Sequence, residues 1–499
     1  MTMPFHKQEP ERSVTFNETR DSLPGYFAAF RNKRVVVLGD AILDEYLVGD
    51  CSRISPEAPV PVVRVTSSRP VLGGAANTAA NVVSLGGQAT LITLVGSDDA
   101  GILLRQRAAA AGIDLYGVDA GVPTLRKTRV VGQHQQIVRL DYEEVRPLSA
   151  ESQAAIVELL RSNVGRADIV VISDYAKGLL SPGLAQAIFR YAHEVGLVVV
   201  VDPRPQNRDC YAGCDYLTPN WRESRALLGL SDAEPSQETV GAVATALAKR
   251  LDANIVLTLG PFGISFCSRD CCERFAMPTL AKEVFDVSGA GDTVVATFAL
   301  ALAGGLDHAT AVSLANRAAS VVVGKFGTAV VTPNEIVEEA DAGRLVQRGA
   351  LAELAATLRA KGKRLVTVNG SFDLLHGGHL HLLNEARRQG DVVIVGLNSD
   401  TSIRAYKGPN RPIVQERRRA EMLLALRSVD YVHIFDELDP RAFLEEVKPD
   451  VHVNGSEYGE NCIEAETVRN GGGRLHLVDR LPGLSTTELV SALHSPVLR

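Results

Sequence analysis

The sequence predicts an α/β protein made of two units, each built on a mostly parallel sheet, with the larger unit first. The first observation is a series of continuous apolar, β-branched runs, which is typical of strands buried on both faces of a sheet. The second is that helix-length segments separate these runs, as the crossovers of a parallel sheet require. The third is the length of 499 residues, which exceeds what one ordinary core accommodates.

Apolar runs in the first 260 residues mark the strands of the first sheet. Several end at a glycine or an acid, as at Gly39-Asp40 and at Asp202. Ligands bind beyond the carboxyl ends of the strands in open α/β sheets, so these ends are candidates to line a site. The predicted strands are residues 35–38, 91–95, 169–172, 197–201 and 255–259.

A second α/β alternation begins near residue 364. Residues 331–363 are rich in Glu, Ala, Arg and Leu and show no strand pattern, so we predict connecting helices there. The predicted strands of the second unit are residues 365–369, 392–397, 431–435, 451–454 and 475–478. The predicted organisation is an N-terminal extension over 1–32, a first domain over 33–339, a helical linker over 340–363 and a second domain over 364–499.

Composition excludes several classes of protein. A hydrophobic fraction of 45% and a charged fraction of 22% are typical of globular domains, and a net charge of −7 argues against non-specific nucleic-acid binding. No apolar run reaches about 18 residues, and the first 30 residues lack a signal-peptide pattern, so we expect a cytoplasmic protein with a loosely attached start. Seven cysteines without regular spacing favour reduced thiols over a zinc site.

The first chemical motif is residues 286–292, which read Asp-Val-Ser-Gly-Ala-Gly-Asp and lead into an apolar helix. A loop that opens a helix presents free backbone N–H groups to an anion. The N–H groups of Gly289, Ala290 and Gly291 could stabilise a transferred phosphoryl group while Asp292 accepts a proton from a hydroxyl. The alternative for an isolated motif of this kind is a simple loop-to-helix cap.

Two further motifs accompany it, residues 73–77 (Gly-Gly-Ala-Ala-Asn) and residues 220–223 (Asn-Trp-Arg-Glu). Together the three resemble the ribokinase-like sugar kinase superfamily over residues 33–335. The resemblance implies that Asp292 is the catalytic base and that 289–291 form the anion hole. It also implies nucleotide-side residues Asn220, Glu223, Gly260, Gly263 and Asn316, and sugar-side residues Asp40, Asp44, Gly74 and Asn77.

Two positions depart from the pattern of that superfamily. Ser288 replaces the usual threonine and keeps the hydroxyl. Arg204 follows Asp202-Pro203 where a lysine is frequent, so the cation remains, but a planar guanidinium is not equivalent to an ammonium.

The second chemical motif is His376-Gly-Gly-His379, which follows the predicted strand 365–369. Two histidines at i and i+3 on one helix face could donate hydrogen bonds to the phosphates of a nucleotide. A metal-binding pair is the alternative, and the two intervening glycines favour close approach of a phosphate instead.

Residues 369–379 closely resemble the cytidylyltransferase-like nucleotidyltransferases, and the resemblance extends over 364–493. The combined prediction is a ribokinase-like parallel-sheet sandwich followed by a smaller Rossmann-like nucleotidyltransferase domain. The arginine run 417–419 is expected to be a solvated helix face, with a nucleotide role as the alternative. The implied catalytic residues are His376, His379 and Lys407, and the implied nucleotide-binding residues are Asn369, Phe372, Asp373, Arg411, Ser485, Thr486 and Thr487.

A kinase half followed by a nucleotidyltransferase half resembles the bifunctional heptose kinases/adenylyltransferases of ADP-heptose synthesis. Residues 51–63, 135–141 and 173–178 also resemble segments of the heptose kinases. The resemblance implies phosphorylation of D-glycero-β-D-manno-heptose 7-phosphate at O1, removal of the 7-phosphate by a separate phosphatase, and adenylylation of the 1-phosphate. Arg53, Arg139 and Lys177 are candidate contacts for the anionic sugar, with structural ion pairs as the alternative.

The same resemblance implies ATP and Mg2+, with a monovalent cation as an option in the kinase half, and a homo-oligomer, a dimer, formed through that half. Related fused enzymes carry a lysine where this chain has Asn454. That loss of charge leaves open a sugar kinase whose second half only binds nucleotide or mediates assembly. Use of another sugar phosphate, or of CTP, is also left open.

Overall fold

The computed structural model describes residues 12–13, 22–132, 135–281 and 284–479. Its contacts divide the chain into two compact units, Met1–Glu339 and Ala340–Arg499. None of the helices among the described residues has the length and apolar character that crossing a membrane requires.

The first unit is built from short strands that alternate with helices. Its strands are β1 (Arg12–Ser13), β2 (Arg34–Gly39), β3 (Ala41–Ile54), β4 (Pro61–Gly74), β5 (Gln88–Leu94), β6 (Asp114–Val118), β7 (Arg126–Gly132), β8 (Gln135–Tyr142), β9 (Ile169–Ser173), β10 (Val199–Asp202), β11 (Tyr216–Leu217), β12 (Asn254–Thr258), β13 (Ile264–Cys267) and β14 (Arg274–Met277). Its helices are α1 (Leu23–Phe30), α2 (Ala75–Ser84), α3 (Asp99–Ala110), α4 (Ala150–Val164), α5 (Pro182–Glu194), α6 (Trp221–Leu227), α7 (Gln237–Leu251), α8 (Ala290–Ala303) and α9 (His308–Val322), with α10 (Pro333–Arg344) reaching across the boundary.

The main sheet of the first unit has ten strands in the order β1-β14-β13-β12-β11-β10-β9-β2-β5-β6. The strands from β12 to β6 pair in parallel, whereas β13 and β14 are antiparallel additions at one side. All residues of β9 and β10 are buried, as expected for strands covered on both faces. One covering layer packs α4, α5 and α7 against Val36 and Leu38.

A separate sheet of four strands, in the order β4-β3-β7-β8, supplies one wall of the first site. Strands β3 and β4 are long and antiparallel, and β7 runs parallel to β3. The register places Asp44 of β3 beside Lys127 of β7. Much of this sheet is exposed toward the distal ends of its strands.

The start of the described chain differs from the predicted extension over 1–32. Residues 23–30 form α1, which contacts α8, and Leu23, Phe27 and Phe30 are buried. Their spacing of four and three residues places them on one helix face, so this face packs into the first unit. Residues 1–11 and 14–21 lie outside the described part of the chain.

The second unit repeats the alternation on a smaller scale, with six parallel strands in the order β15-β18-β17-β16-β19-β20. These strands are β15 (Leu345–Val346), β16 (Leu365–Gly370), β17 (Val392–Asn398), β18 (Tyr431–Phe435), β19 (Val451–Gly455) and β20 (Arg474–Val478). The helices are α11 (Leu351–Ala360), α12 (Gly377–Arg388), α13 (Asp400–Lys407), α14 (Glu416–Leu424), α15 (Arg441–Val447) and α16 (Ala465–Asn470).

The segment predicted as a helical linker over 340–363 instead contributes to the second unit. Strand β15 pairs with β18 at the edge of the sheet. Leu351, Ala355 and Leu358 of α11 are buried in the core that includes Leu365 and Ile394. A strand of two residues is too short to give an apolar pattern, which explains why the sequence indicates helices alone.

Candidate active sites

The first site is built around the start of α8. Gly289 precedes the helix with φ 80°, a left-handed conformation that favours glycine. A Cβ atom there would lie 2.8 Å from the side-chain nitrogen of Asn77. The sequence therefore needs glycine at 289 to bring the helix start, and Asp292 in its first turn, against α2.

Asp292 is buried and accepts three side-chain hydrogen bonds. Asn77 Nδ2 donates to Oδ2 at 2.8 Å, while Thr78 Oγ1 and the Tyr175 hydroxyl donate to Oδ1 at 3.1 and 2.8 Å. Burial raises the pKa of Asp292 to about 6, and the donors from Asn77, Tyr175 and Thr78 oppose a larger rise. The carboxylate is therefore mostly ionised at neutral pH and close enough to neutrality to take a proton.

A cavity of about 270 Å³ lies in front of this carboxylate. It brings together predicted residues of the sugar side, the nucleotide side, the anion hole and the strand ends, and it adds further residues. The predicted lining residues are Asp44, Gly74, Asp202, Asn220, Glu223, Gly289, Gly291 and Asp292, and the additional ones include Lys127, Arg129, Tyr175, Arg204 and Thr328.

The predicted anion hole is only partly available in this state. Gly289 and Gly291 line the cavity. The N–H of Ala290 instead donates to the carbonyl oxygen of Val287 at 3.2 Å. The first amides of a helix have no intrahelical acceptor, so those of the two glycines suit an anion best.

Asp40 and Asn77 position other groups and do not line the cavity. Asp40 accepts the backbone N–H groups of Tyr175 and Lys177 at 3.0 Å each and that of Leu179 at 3.3 Å. It therefore holds the loop that carries the Tyr175 hydroxyl to Asp292. Burial raises the pKa of Asp40 to about 6, while the hydrogen bond from the Lys177 amide opposes the rise.

Three residues predicted on the nucleotide side also lie outside this lining. Asn316 donates to the carbonyl oxygen of Pro278 at 2.7 Å. Gly260 and Gly263 have φ 58° and 98°, and a Cβ at 263 would lie 2.0 Å from the Met277 carbonyl oxygen. Local structure thus explains the residue types at these three positions. Their contacts with a nucleotide stay a prediction.

The Asn-x-x-Glu motif acts in this structure as a helix cap. The side chain of Asn220 accepts the N–H of Glu223, and Glu223 accepts the N–H of Asn220, both at 2.9 Å. The second oxygen of Glu223 contacts the Arg204 guanidinium. Arg204 also stacks 4.6 Å above the Tyr175 ring, so it connects this motif to the tyrosine that contacts Asp292.

The cations proposed for the sugar are not in the cavity. Arg53 is exposed near the end of β3. Arg139 is exposed on β8 and forms a paired contact with Asp141, and Lys177 forms an ion pair with Glu143 at 2.7 Å. Lys127 and Arg129, which alternate along β7 and share one face, line the cavity in their place. The alternation of Lys127 and Arg129 along a strand is the sequence pattern that could have identified these two residues.

The second site begins at the N-terminus of α12. His376 is the N-cap, and its Nδ1 accepts the N–H of Gly378 at 3.2 Å. The rings of His376 and His379 stack with centroids 3.9 Å apart. Partial burial, His376 and Lys407 lower the pKa of His379 to about 4, so it is neutral at physiological pH. It can therefore offer phosphate a hydrogen bond, but not a full charge.

Charged residues surround this helix start. Lys407 Nζ lies 3.0 Å from the Ser371 hydroxyl, and Arg411 forms an ion pair with Asp373 at 2.7 Å. Burial alone would raise the pKa of Asp373, but the amides of Val414 and Ile413 and the Arg411 guanidinium together lower it. Asp373 therefore shapes the loop that carries Arg411.

The remaining predicted residues of the second site have buried side-chain atoms or lie outside the described residues. Phe372 is buried in the core and lies 5.1 Å from His379, measured between ring centroids. The side-chain oxygen of Asn369 is buried without a hydrogen-bond partner among the described residues. Asn454 is buried at the end of the adjacent strand β19. Ser485, Thr486 and Thr487 lie outside the described residues.

Arg419 departs from the expected solvated face of residues 417–419. Its guanidinium is buried and donates to the carbonyl oxygens of Ser371, Asn398 and Val414 and to the carboxylate of Asp400. A buried cation needs such partners, and here they join the loop after β16 to α14. Arg419 therefore stabilises the loop of the second site from within the core.

Comparisons with known proteins match each half of the chain to a family. The model of the pfkB family carbohydrate kinases matches residues 32–335, and the cytidylyltransferase-like model matches 367–482. A bifunctional protein HldE of Pelobacter propionicus is 40% identical, covering 94% of this chain and 98% of its own. The chain belongs to the bifunctional HldE family. A relative of the same name from Geobacter metallireducens is 41% identical over 95% of this chain.

Solved structures support the fold of the first unit. Escherichia coli phosphofructokinase-2 in complex with potassium covers 63% of this chain and 100% of its own, with 21% identity and a TM-score of 0.54. A ribokinase from Agrobacterium tumefaciens, described as putative, covers 62% of this chain and 97% of its own, with 22% identity and a TM-score of 0.50. The predicted ribokinase-like sandwich followed by a nucleotidyltransferase domain is confirmed, and the chain is a bifunctional enzyme.

Removing the Tyr175 hydroxyl tests its contact with Asp292. A donor to the ionised carboxylate lowers its pKa, so Tyr175→Phe should raise the pKa of Asp292 above about 6. We expect the acidic limb of the kinase kcat/KM profile to move up by about one pH unit. The control is Tyr191→Phe, in α5, which should leave the limb in place. An unchanged limb in the Tyr175 variant would contradict this role.

Proposed function

We propose that the chain phosphorylates D-glycero-β-D-manno-heptose 7-phosphate at O1 with ATP and, after a separate phosphatase has acted, adenylylates heptose 1-phosphate to ADP-heptose. Membership of the bifunctional HldE family supports the pair of activities. The observation that carries the first activity is Asp292, buried at a helix start and facing a cavity lined also by Asn220 and Glu223. The observation that carries the second is the stacked pair His376 and His379 at the start of α12.

In the first reaction, Asp292 accepts the proton of the sugar O1 hydroxyl. The O1–phosphorus bond forms while the bond from the γ-phosphorus to its bridging oxygen breaks, and ADP leaves. The amides of Gly289 and Gly291 stabilise the negative charge of the phosphoryl group in transit. Asp44, which is fixed by Arg129 at 2.5 Å and by Thr328 at 3.1 Å, orients the hydroxyl groups of the sugar.

Glu223 and Asp202 fit the Mg2+ that accompanies ATP, because both carboxylates line the cavity and oxygen is the ligand that Mg2+ prefers. When bound, the ion neutralises charge on the ATP phosphates. Arg204 contacts Glu223 and holds its carboxylate in place on this wall of the cavity. A monovalent cation in the kinase unit is also part of the proposal, supported by the potassium in the structure of E. coli phosphofructokinase-2.

In the second reaction, a phosphate oxygen of the sugar 1-phosphate attacks the α-phosphorus of ATP, and pyrophosphate leaves. His376, His379 and Lys407 surround the helix start where these phosphates bind. Because His379 is neutral, it acts as a hydrogen-bond donor, while Lys407 supplies charge. The arrangement thus needs no imidazolium in the pH range of the cell.

Two alternatives concern substrates and the second half. Asn454, in place of a lysine, favours a second half that only binds nucleotide, whereas the presence of His376, His379 and Lys407 favours transfer. Another sugar phosphate, or CTP, would use the same groups. We place the enzyme in the cytoplasm, since all seven cysteines are free and reducing compartments keep thiols free.

We further propose a homo-oligomer, a dimer, formed through the four-stranded sheet of the kinase unit. Val138, Leu140 and Tyr142 are each more than 40% exposed and alternate along the edge strand β8, so they share one face. Val65 on the other edge strand is also exposed. A run of exposed apolar side chains on an edge strand is typical of a protein interface.

Exchanging residues one site at a time tests the two-site assignment. Asp292→Asn should reduce phosphorylation of heptose 7-phosphate by about 10²–10⁴-fold, because the general base is lost, and should leave adenylylation of supplied heptose 1-phosphate unchanged. His379→Ala should do the reverse. Each variant is the control for the other, with both products measured by mass spectrometry of the full-length protein. Loss of both activities from either folded variant would rule out independent sites.

The oligomer proposal is tested by Leu140→Glu, which places a charge within the exposed apolar face. We expect light scattering after size-exclusion chromatography to give the mass of two chains for the native protein and of one chain for the variant. Ile102→Glu, on the exposed side of α3, is the matched control and should stay dimeric. A native protein of single-chain mass would contradict the proposal.

A further inference from the structure

The kinase cavity contains a cation that the two reactions described above do not use. Lys127 lies on β7, is half-buried and lines the cavity. In the part of the chain that the structure describes, its side chain makes no hydrogen bond and no ion pair, and its ammonium lies 5.9 Å from the centroid of the Tyr175 ring. That distance is at the outer limit of a cation–π interaction, so the contact is weak.

The other two cations of the cavity differ from Lys127. Arg129 is paired with Asp44 at 2.5 Å, and Arg204 is in contact with Glu223. Each of these guanidinium groups is thus already neutralised by a carboxylate. A partly buried ammonium without a counter-ion loses hydration and gains no ion pair, which makes it costly unless an anion arrives.

Lys127 and Asp292 both lie beside Tyr175. The hydroxyl of this tyrosine lies 2.8 Å from Asp292 Oδ1, and its ring is the group that Lys127 approaches. Lys127 and the base also line the same cavity. One sugar bound in that cavity can therefore present a hydroxyl to Asp292 and a phosphate on its exocyclic chain to Lys127.

Burial also lowers the pKa of Lys127, and Asp44 opposes this shift. The remaining charges nearby are engaged elsewhere: Lys177 with Glu143 and Arg139 with Asp141. An arriving anion would thus find a single ammonium whose three N–H groups are not committed to a protein acceptor.

We propose that Lys127 binds the phosphate that the sugar already carries, at the end opposite to the hydroxyl that becomes phosphorylated. The inference rests on the proposed function, because it requires a sugar phosphate as the substrate of the first reaction. The proposal assigns the contact with the sugar phosphate to Lys127, inside the cavity, and no longer to Arg53, Arg139 or Lys177. The ligand class is a phosphomonoester, bound by charge-assisted hydrogen bonds.

The experiment compares heptose 7-phosphate with the same heptose lacking the phosphate, each supplied with ATP and the full-length protein. Lys127→Gln should raise the KM for heptose 7-phosphate by about 10–100-fold, with little change in kcat, and should leave kcat/KM for the unphosphorylated sugar within about threefold. Lys127→Arg should recover part of the loss. Arg64→Gln removes an exposed cation of the same sheet and should behave as the native protein does.

Circular dichroism and thermal unfolding of each variant report whether the kinase unit is folded, since adenylyl transfer reports on the second unit alone. A KM for heptose 7-phosphate that stays native in Lys127→Gln would overturn the assignment. An equal loss with both sugars, in a variant whose thermal unfolding is native, would also overturn it, because the role would not depend on the phosphate. If the native protein itself does not phosphorylate heptose 7-phosphate, the proposed function fails, and that result is distinguishable from a failure of Lys127 alone.

Discussion

The hydrogen bonds that hold one buried carboxylate organise the first unit. Asp292 meets Asn77 and Thr78 of α2 and the hydroxyl of Tyr175, which comes from the loop after β9. A carboxylate inside a protein is stable only with such donors, so α2 and the loop after β9 must both converge on the start of α8. Asp40 then becomes necessary as well, because its carboxylate fixes the backbone of the loop that carries Tyr175.

The second unit also places its site at a helix start, here directly after the parallel strand β16, with a different electrostatic balance. Two stacked imidazoles occupy the start of α12, and partial burial, His376 and Lys407 keep His379 neutral. Arg419 lies in the core and donates hydrogen bonds to four acceptors, which fixes the loop after β16. One motif therefore suits proton removal, and the other suits hydrogen bonding to phosphate.

The sequence predicted the parallel sheets and both motifs because buried strands and glycine-rich helix starts leave local patterns. It did not predict the contact between Asp292 and Thr78, or the place of Lys127 in the cavity, since these depend on segments far apart in the chain. Asp40 and Asn77 were expected at the sugar, yet their hydrogen bonds show them positioning other groups. A polar residue near a site has the same sequence signature in either role.

If the two sites perform successive reactions on one sugar, the products of the native enzyme must form in a fixed order. Heptose 7-phosphate and ATP alone should give a heptose 1,7-bisphosphate, seen by mass and by a new anomeric phosphate resonance in the phosphorus NMR spectrum. Addition of a phosphatase specific for the 7-phosphate should then give ADP-heptose and pyrophosphate. A nucleotide-linked product without the phosphatase, or phosphorylation at another hydroxyl, would show that the two sites do not act in this order.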